Sequence, residues 1–313
     1  MKILITGVAG FIGSNLAEYL LRDGHEIIGI DDLSYGLIEQ VPSKVIFHQI
    51  DILNKSIYSF FDGVDIVFHL AAKNCIADCQ LDPFETTAIN VSGSVNVFEG
   101  AKKSNVKKVI YAESSALYEG TTSFPTKEKD EAPESFYAIS KMASKLFADT
   151  YNRFSNLHTI ALRYFNVYGP KQDYRRSIPP LMCAFIIKLL KGEQPVIYGD
   201  GTKRRDFIYI DDVNRFHELL INKGSVTGGT YNIGSGLNYS ILEVYEIIKK
   251  LINTDVIPEH KPDLPGEAFQ NLADISAARS LGWQPRVKLE DGLKLSIEYT
   301  IPLITSSICI KFL

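Results

Sequence analysis

Lys2-Ile3-Leu4-Ile5-Thr6-Gly7-Val8-Ala9-Gly10-Phe11-Ile12-Gly13 opens the chain with a short apolar run that breaks into a glycine-rich turn. A run without polar alternation reads as a strand buried on both faces, and the turn sits where that strand hands over to a helix. A dinucleotide pyrophosphate needs this arrangement. Gly7 permits the tight turn, Gly10 lets the backbone approach the phosphates, and Gly13 lets the helix pack close to its strand, with the phosphates on the helix N-terminus beside Phe11 and Ile12. A bare glycine triplet is weak evidence. Here a second apolar run, Glu26-Ile27-Ile28-Gly29-Ile30, ends in Asp31-Asp32, eighteen residues after Gly13. That is about where the acid that grips the adenosine ribose hydroxyls belongs. An acid there repels a 2′-phosphate, and no arginine follows in Asp31-Asp32-Leu33-Ser34, so NAD is expected rather than NADP.

Working outward, apolar runs at 45–50, 64–70, 107–113 and 157–163 alternate with stretches of helical periodicity. This is the pattern of a doubly wound α/β fold, a parallel Rossmann-type sheet covered on both faces. After Gly169-Pro170 the rhythm breaks into Pro179-Pro180, Pro195, Gly199, Gly201 and the basic cluster Lys203-Arg204-Arg205, with one helix expected near 181–191. A smaller mixed α/β region starts there. Asp211-Asp212 opens a helix, Tyr231-Asn232-Ile233 reads as a strand, Ser240 and Glu243 form a capping box for a helix to about Ile252, and Asp274 caps a short one. The tail from Ile301 is apolar and ambiguous.

The 313 residues are 45% hydrophobic and 22% charged, which is ordinary globular composition with a sizeable core. A net charge of −4 with no long basic run argues against a nucleic-acid partner. Met1-Lys2 leads straight into the first strand, and the longest apolar stretch, near Leu181 to Leu190, is far below the roughly 20 residues of a membrane span, so a cytoplasmic protein without membrane partner is expected. Cys75 and Cys79 have no second pair or histidine cluster to complete a metal site, and reduced, packed thiols are expected.

Tyr137-Ala138-Ile139-Ser140-Lys141 places a phenol and an ammonium four residues apart, on one face of a helix start. The ammonium should lower the phenol pKa, and such a tyrosine can take a proton from a sugar hydroxyl while hydride leaves the same carbon for a nicotinamide. Alone, the spacing equally describes a solvated helix face. It is not alone, because the run from Lys107 to Glu113 ends in Ser114-Ser115, two hydroxyls at the C-terminal sheet edge where ligands bind in such folds. Either serine can share a hydrogen bond with the reacting oxygen, and either can simply cap the strand end.

These residues resemble the extended short-chain dehydrogenases/reductases of the NAD-dependent epimerase/dehydratase group, over about residues 1–300. The resemblance rests on the glycine turn, Asp31, Asp51-Ile52, His69-Leu70-Ala71-Ala72, Asn90-Val91-x-Gly93, Ser114-Ser115, Tyr137-x-x-x-Lys141, Arg163 through Pro170, and Gly199 through Tyr209. It implies that residues 1–170, with a return segment 205–234, bind NAD, and that 171–204 and 235–313 bind a nucleotide sugar. It further implies Ser115, Tyr137 and Lys141 as catalytic, with Ser114 beside them. Asp51 and Ile52 would meet the adenine, Leu70, Ala71, Ala72, Lys73 and Asn90 would line the cofactor path, and Phe165 would lie near the nicotinamide. Asn166 and Arg205, with Val196 and Tyr198 on the same side, would hold the nucleotide diphosphate, and Arg204 competes with Arg205 for that role. Relatives also pair their Tyr-x-x-x-Lys helix and the preceding long helix into a homodimer. Here Phe136, Met142, Leu146, Phe147 and Tyr151 with Val95, Val97 and Phe98 are the candidate contacts.

Two departures stand out. Many relatives carry an arginine before a Gly-acid pair, where this chain has Leu264 before Gly266-Glu267, with Lys261 as the candidate substitute. Relatives also follow the loop tyrosine at once with glycine, whereas Glu119 intervenes in Tyr118-Glu119-Gly120. Dehydratase relatives place an Asp-Glu pair after the hydroxyl residue, because losing water across C5 and C6 needs a base and an acid. Ala116-Leu117 stands there, so a UDP-hexose 4-epimerase is the favoured activity, with a dehydratase, decarboxylase or reductase of the same family as the alternative and a non-enzymatic NAD sensor as the remote one. In related 4-epimerases the position five residues after that glycine lies beside the C2 substituent. It is Asn271 here, small enough to admit an N-acetyl group and able to hydrogen-bond it.

Overall fold

A computed structural model of the protein describes residues 1–172, 179–263 and 268–310, the side chains of 305–310 excepted. Six strands form in sequence: β1 (Lys2–Thr6), β2 (Glu26–Asp31), β3 (Ile46–Gln49), β4 (Ile66–His69), β5 (Lys108–Ser114) and β6 (His158–Tyr164). Three short strands follow, β7 (Asn166–Tyr168), β8 (Val196–Tyr198) and β9 (Arg204–Tyr209), before β10 (Thr230–Ile233) returns to the edge of the large sheet. The seven-stranded order β10-β6-β5-β4-β1-β2-β3 is parallel throughout, with Ile5 opposite Phe68 and Gly29 across the two central pairings. The chain winds one way from β1 to β3 and the other from β4 to β6. The switch point therefore lies between β1 and β4, and a crevice opens beyond their C-terminal ends.

The apolar runs become strands because both faces are covered. In β1, Ile3 and Ile5 pack into one core with Leu16, Ala17 and Leu20 of helix α1 (Phe11–Arg22). Leu4 between them joins the other core, with Val67, Val97 and Phe98. Each such side chain contributes about 1.5–3 kcal/mol relative to an exposed one. The second layer holds α2 (Ile76–Leu81), α3 (Pro83–Thr87), a π-helical turn over Ala88–Gly93, α4 (Ser94–Lys103) and α5 (Phe136–Phe154). Val97 and Phe98 thus serve the core and not an outer face, whereas Phe136, Leu146 and Phe147 of α5 are exposed.

The smaller region is built from α6 (Leu181–Leu190), β11 (Asn238–Ser240), α8 (Ile241–Ile252), β12 (Glu259–Lys261), α9 (Ser276–Ser280) and α10 (Leu289–Ile310), whereas α7 (Ile210–Asn222) lies beside α1 on the large sheet, with His217 against Phe68 and Tyr164. Strand β9 joins β7 and β11 in a three-stranded sheet, while β8 pairs with β12. The expected capping box closes α8, with Ser240 Oγ accepting from Glu243 N and Glu243 accepting from Ser240 N. Asp274, expected as the cap of α9, stands one residue too early: the N-cap position is Ile275, which has no side-chain cap, and Asp274 accepts from Ser276 N at 2.8 Å in a turn that leads into the helix. The ambiguous tail continues α10 through Pro302 to Ile310. Among the described residues no helix is long and apolar enough to cross a membrane.

Candidate active site

The crevice is a cleft of about 590 Å³ that runs from the glycine turn, past the ends of β4 and β5, to β7 and β9. Gly7 has φ +74°, and a Cβ there would stand 2.7 Å from Ala71 N; one at Gly13 would overlap the Gly7 carbonyl. Helix α1, with Gly10 at its N-cap position, has no side-chain cap, and Phe11, Ile12 and Gly13 of its first turn line the cleft, where their N–H groups can meet an anion. This cradle fits a pyrophosphate. Asp31 accepts from Ala9 N at 3.0 Å and from Leu33 N at 2.9 Å; burial pushes its carboxyl upward in pKa, opposed by these two N–H bonds. It therefore fastens the glycine turn as well as facing the cleft. Asp32 caps the following turn through Ser34 N. Asp51, Ile52, Leu70, Ala71, Ala72 and Lys73 all line the same half of the cleft.

Asn90 sits one layer behind. Its Oδ1 accepts from Lys73 N at 2.8 Å, and its Nδ2 donates to Lys73 O at 3.0 Å and Ser140 Oγ at 2.9 Å. It ties the cofactor strand end to α5 without itself bordering the cleft. The Lys73 ammonium is paired with Glu85.

Helix α5 begins because Ser135 caps it, accepting from Ala138 N at 3.1 Å. Its buried face carries Tyr137, Ala138, Ser140, Lys141 and Ser144, the one-turn repeat that puts phenol and ammonium side by side toward the cleft. Lys141 Nζ donates to Ala112 O at 3.0 Å. Burial pulls its pKa down to about 8, with the charge of Glu113 opposing. At the end of β5 the two serines divide the work: Ser114 Oγ accepts from Ala116 N and caps the 3₁₀ turn Ser115–Tyr118. The Ser115 hydroxyl borders the cleft and has no hydrogen-bond partner among the described residues.

At the far end Phe165, Asn166, Arg205 and Asn271 line the cleft. Asn166 Nδ2 donates to Asp206 O at 2.8 Å. The competition between the two arginines resolves by direction: Arg204 turns away to Asn238 and Glu243, whereas Arg205 borders the cleft. Asn271 Oδ1 accepts from Asp206 N at 2.7 Å and Asn166 Nδ2 at 3.3 Å, and among the described residues its own amide N–H groups have no acceptor. Val196 and Tyr198, on β8, are not among the cleft-lining residues, because that strand pairs with β12 away from the sheet edge. Lys261 is exposed on β12 beside Glu259, and Leu264, Gly266 and Glu267 lie outside the described residues.

Sequence reasoning missed the polar core beneath these groups. Arg163, fully buried on β6, donates to Glu113 at 2.6 Å, Tyr118 OH at 2.8 Å and Glu128 O at 2.6 Å, and pairs with Glu131. Glu113 also accepts from Tyr111 OH at 3.0 Å. A lone arginine inside an apolar run was the available signal, since a guanidinium is buried only when fully paired.

A glycine cradle at the switch point of a parallel sheet, facing a serine, a tyrosine and a lysine across one cleft, defines a dinucleotide-dependent enzyme of the short-chain dehydrogenase/reductase type. Residues 3–234 match the model of the NAD dependent epimerase/dehydratase family, and the chain belongs to that family, whose cofactor is NAD. It is 33% identical over 302 residues to the putative UDP-glucose 4-epimerase of Methanocaldococcus jannaschii, covering 95% of this chain and 97% of that one. Among solved structures it is similar to the UDP-glucose 4-epimerase of Thermotoga maritima with UDP-glucose, at 33% identity and TM-score 0.93 over 97% of this chain and 100% of that one. It is equally similar in fold to the UDP-N-acetylglucosamine 4-epimerase of Methanobrevibacter ruminantium in complex with UDP-N-acetylmuramic acid, at 31% identity and TM-score 0.93 over 96% and 98%.

Proposed function

We propose that the chain is a UDP-sugar 4-epimerase that works through a transient 4-keto sugar. The observation that carries this reading is the set of acids beside Ser115. Dehydration needs a free acid and base next to the hydroxyl residue. Ala116 and Leu117 offer neither, and Glu113 is locked into its ion pair with Arg163. Inversion at C4 needs only a group that takes and returns one proton, which the Ser115, Tyr137 and Lys141 set supplies.

In this reading the Lys141 ammonium stabilises the phenolate form of Tyr137, which takes the proton of the C4 hydroxyl and becomes a phenol, while the Ser115 hydroxyl holds O4. NAD, when bound, provides the acceptor and then the donor of the C4 hydride. Arg205 and Asn166 hold the diphosphate while the ketone turns its other face, a guanidinium being suited to bidentate phosphate contact. Tyr137 then returns its proton to O4. Asp31 supports NAD over NADP, because a 2′-phosphate would meet a carboxylate. The free amide donors of Asn271 support acceptance of N-acetylhexosamines, with plain hexoses as additional substrates. The exposed Phe136, Leu146 and Phe147 support a homodimer through α5, for which light scattering should give twice the chain mass.

The test is incubation with UDP-glucose, UDP-N-acetylglucosamine and UDP-glucuronate, followed by product stereochemistry. The expected product is inverted at C4 only, with protein-bound NAD unchanged after turnover. A 4-keto-6-deoxy or decarboxylated product, or net release of NADH, overturns the reading.

A further inference from the structure

We propose that Glu119 is a positioning residue that sets Tyr137 against Ser115, an inference that rests on the epimerase reading for the roles of those two groups. The catalytic set comes from two elements, the end of β5 and the start of α5, and the chain between them runs outward and back. Ala132 N donates to Leu117 O at 2.7 Å and Gly120 N to Ala132 O at 2.9 Å, so backbone bonds bring the returning chain beside the 3₁₀ turn. They stop short of α5. The 3₁₀ turn is tied to the start of α5 through a side chain: Glu119 Oε2 accepts from Ser135 N at 2.8 Å and Glu134 N at 3.2 Å, and Oε1 accepts from the Ser135 hydroxyl at 2.9 Å, while Glu131 reaches α5 one helical stretch further on, at Lys145.

Ser135 is itself the cap of α5, and Tyr137 stands in the first turn that it caps. The carboxylate thus grips the cap of the catalytic helix, at the end where the helix dipole favours negative charge. From the other side the same 3₁₀ turn is pinned by Tyr118, whose hydroxyl donates to Asn232 Oδ1 at 2.6 Å and accepts from Arg163. A turn held behind by Tyr118 and in front by Glu119 fixes how far the Ser115 hydroxyl stands from the Tyr137 phenol. Glu119 borders the cleft but makes its bonds to the protein, so its effect reaches the reaction through Tyr137.

The experiment measures kcat, KM, bound NAD and melting temperature for Glu119→Ala, Glu119→Gln, Ser135→Ala and Tyr137→Phe. The backbone bonds of Leu117, Gly120 and Ala132 survive in Glu119→Ala, so folding and NAD content should persist. Its kcat should fall about 10- to 100-fold, since small misplacements of a reacting group cost that much, with KM within about twofold of wild type. Glutamine keeps an oxygen for the two N–H donors and offers an amide to Ser135 Oγ, so Glu119→Gln should return kcat to within about threefold of wild type. Should Glu119→Ala not fold, Ser135→Ala decides: lowered kcat with unchanged KM supports the tie, and unchanged kcat overturns it. Wild-type kcat in Glu119→Ala, or equal losses in the alanine and glutamine variants, also overturns it. If Tyr137→Phe keeps most of its turnover, the epimerase reading falls and this inference with it. If Tyr137→Phe is inactive while Glu119→Ala matches wild type, the inference alone falls.

Discussion

Two buried cations reach β5 at consecutive residues and meet different treatment there. Arg163 donates to the Glu113 carboxylate and is further engaged by Tyr118, Glu128 and Glu131, whereas Lys141 next to it finds the Ala112 carbonyl at 3.0 Å. Burial works against both charges. For Arg163 the charge of Glu113 and the Tyr118 hydroxyl more than offset it, and the guanidinium is held above its usual pKa; for Lys141 burial wins, and the ammonium drops to about 8. The difference teaches which buried charge is scaffold and which is chemistry. A fully partnered group is part of the fold, and an under-partnered one beside a cleft is poised to act.

Substitutions can break this contrast, and the largest effect belongs to the group that Lys141 serves. Tyr137→Phe should leave the melting temperature unchanged and lower kcat by about 10³-fold, within the range of a lost proton-transfer group. Arg163→Met should do the opposite. It leaves Glu113 buried without its partner and should cost about 3–5 kcal/mol of stability in a denaturant titration. A loss under about 1 kcal/mol would mean that the network is not a scaffold. Lys141→Met should abolish turnover and yet stabilise the NAD-free protein at neutral pH. The lysine pKa falls from 10.5 to about 8 on folding, so between those values the unfolded chain holds the proton that the fold has lost. Stability should therefore rise as pH climbs from 8 to 10.5, by about 3 kcal/mol in all, with the full penalty present below pH 8. The methionine variant should lack this rise. The smallest effect is on substrate choice: Asn271→Tyr should lower kcat/KM for UDP-N-acetylglucosamine relative to UDP-glucose by about 10-fold, and an unchanged ratio would remove Asn271 from the pocket wall.

The scaffold and the chemistry differ as much in how they are written in the chain. The glycine turn, the apolar runs and the Tyr137–Lys141 spacing were legible because each is a local pattern whose period or break says what it does. The division between Ser114 and Ser115 needed coordinates, since both stand at one strand end and only the 3₁₀ turn decides which of them becomes a cap. Arg163 and Glu113 are 50 residues apart, and Glu119 and Ser135 are 16 apart; no periodicity announces pairs created by strand register and loop return. The position of Val196 and Tyr198 likewise follows from the pairing of β8 with β12, which local sequence does not encode. Asn90, expected to line the cofactor path, stands behind it instead and holds the Lys73 backbone, a placement that its local sequence does not announce.

The bond from Ala9 N to Asp31 bears on how this enzyme can be redesigned. The carboxylate proposed to meet the cofactor ribose is also the anchor of the glycine turn, with Leu33 N as its second hold. Exchanging Asp31 for a small or basic residue to welcome NADP removes that anchor at the same stroke. A one-residue walk toward the phosphorylated cofactor thus passes through a protein with a loosened phosphate cradle. A successful swap has to supply a new acceptor for Ala9 N together with the new cation, which makes cofactor preference in this chain a two-site trait.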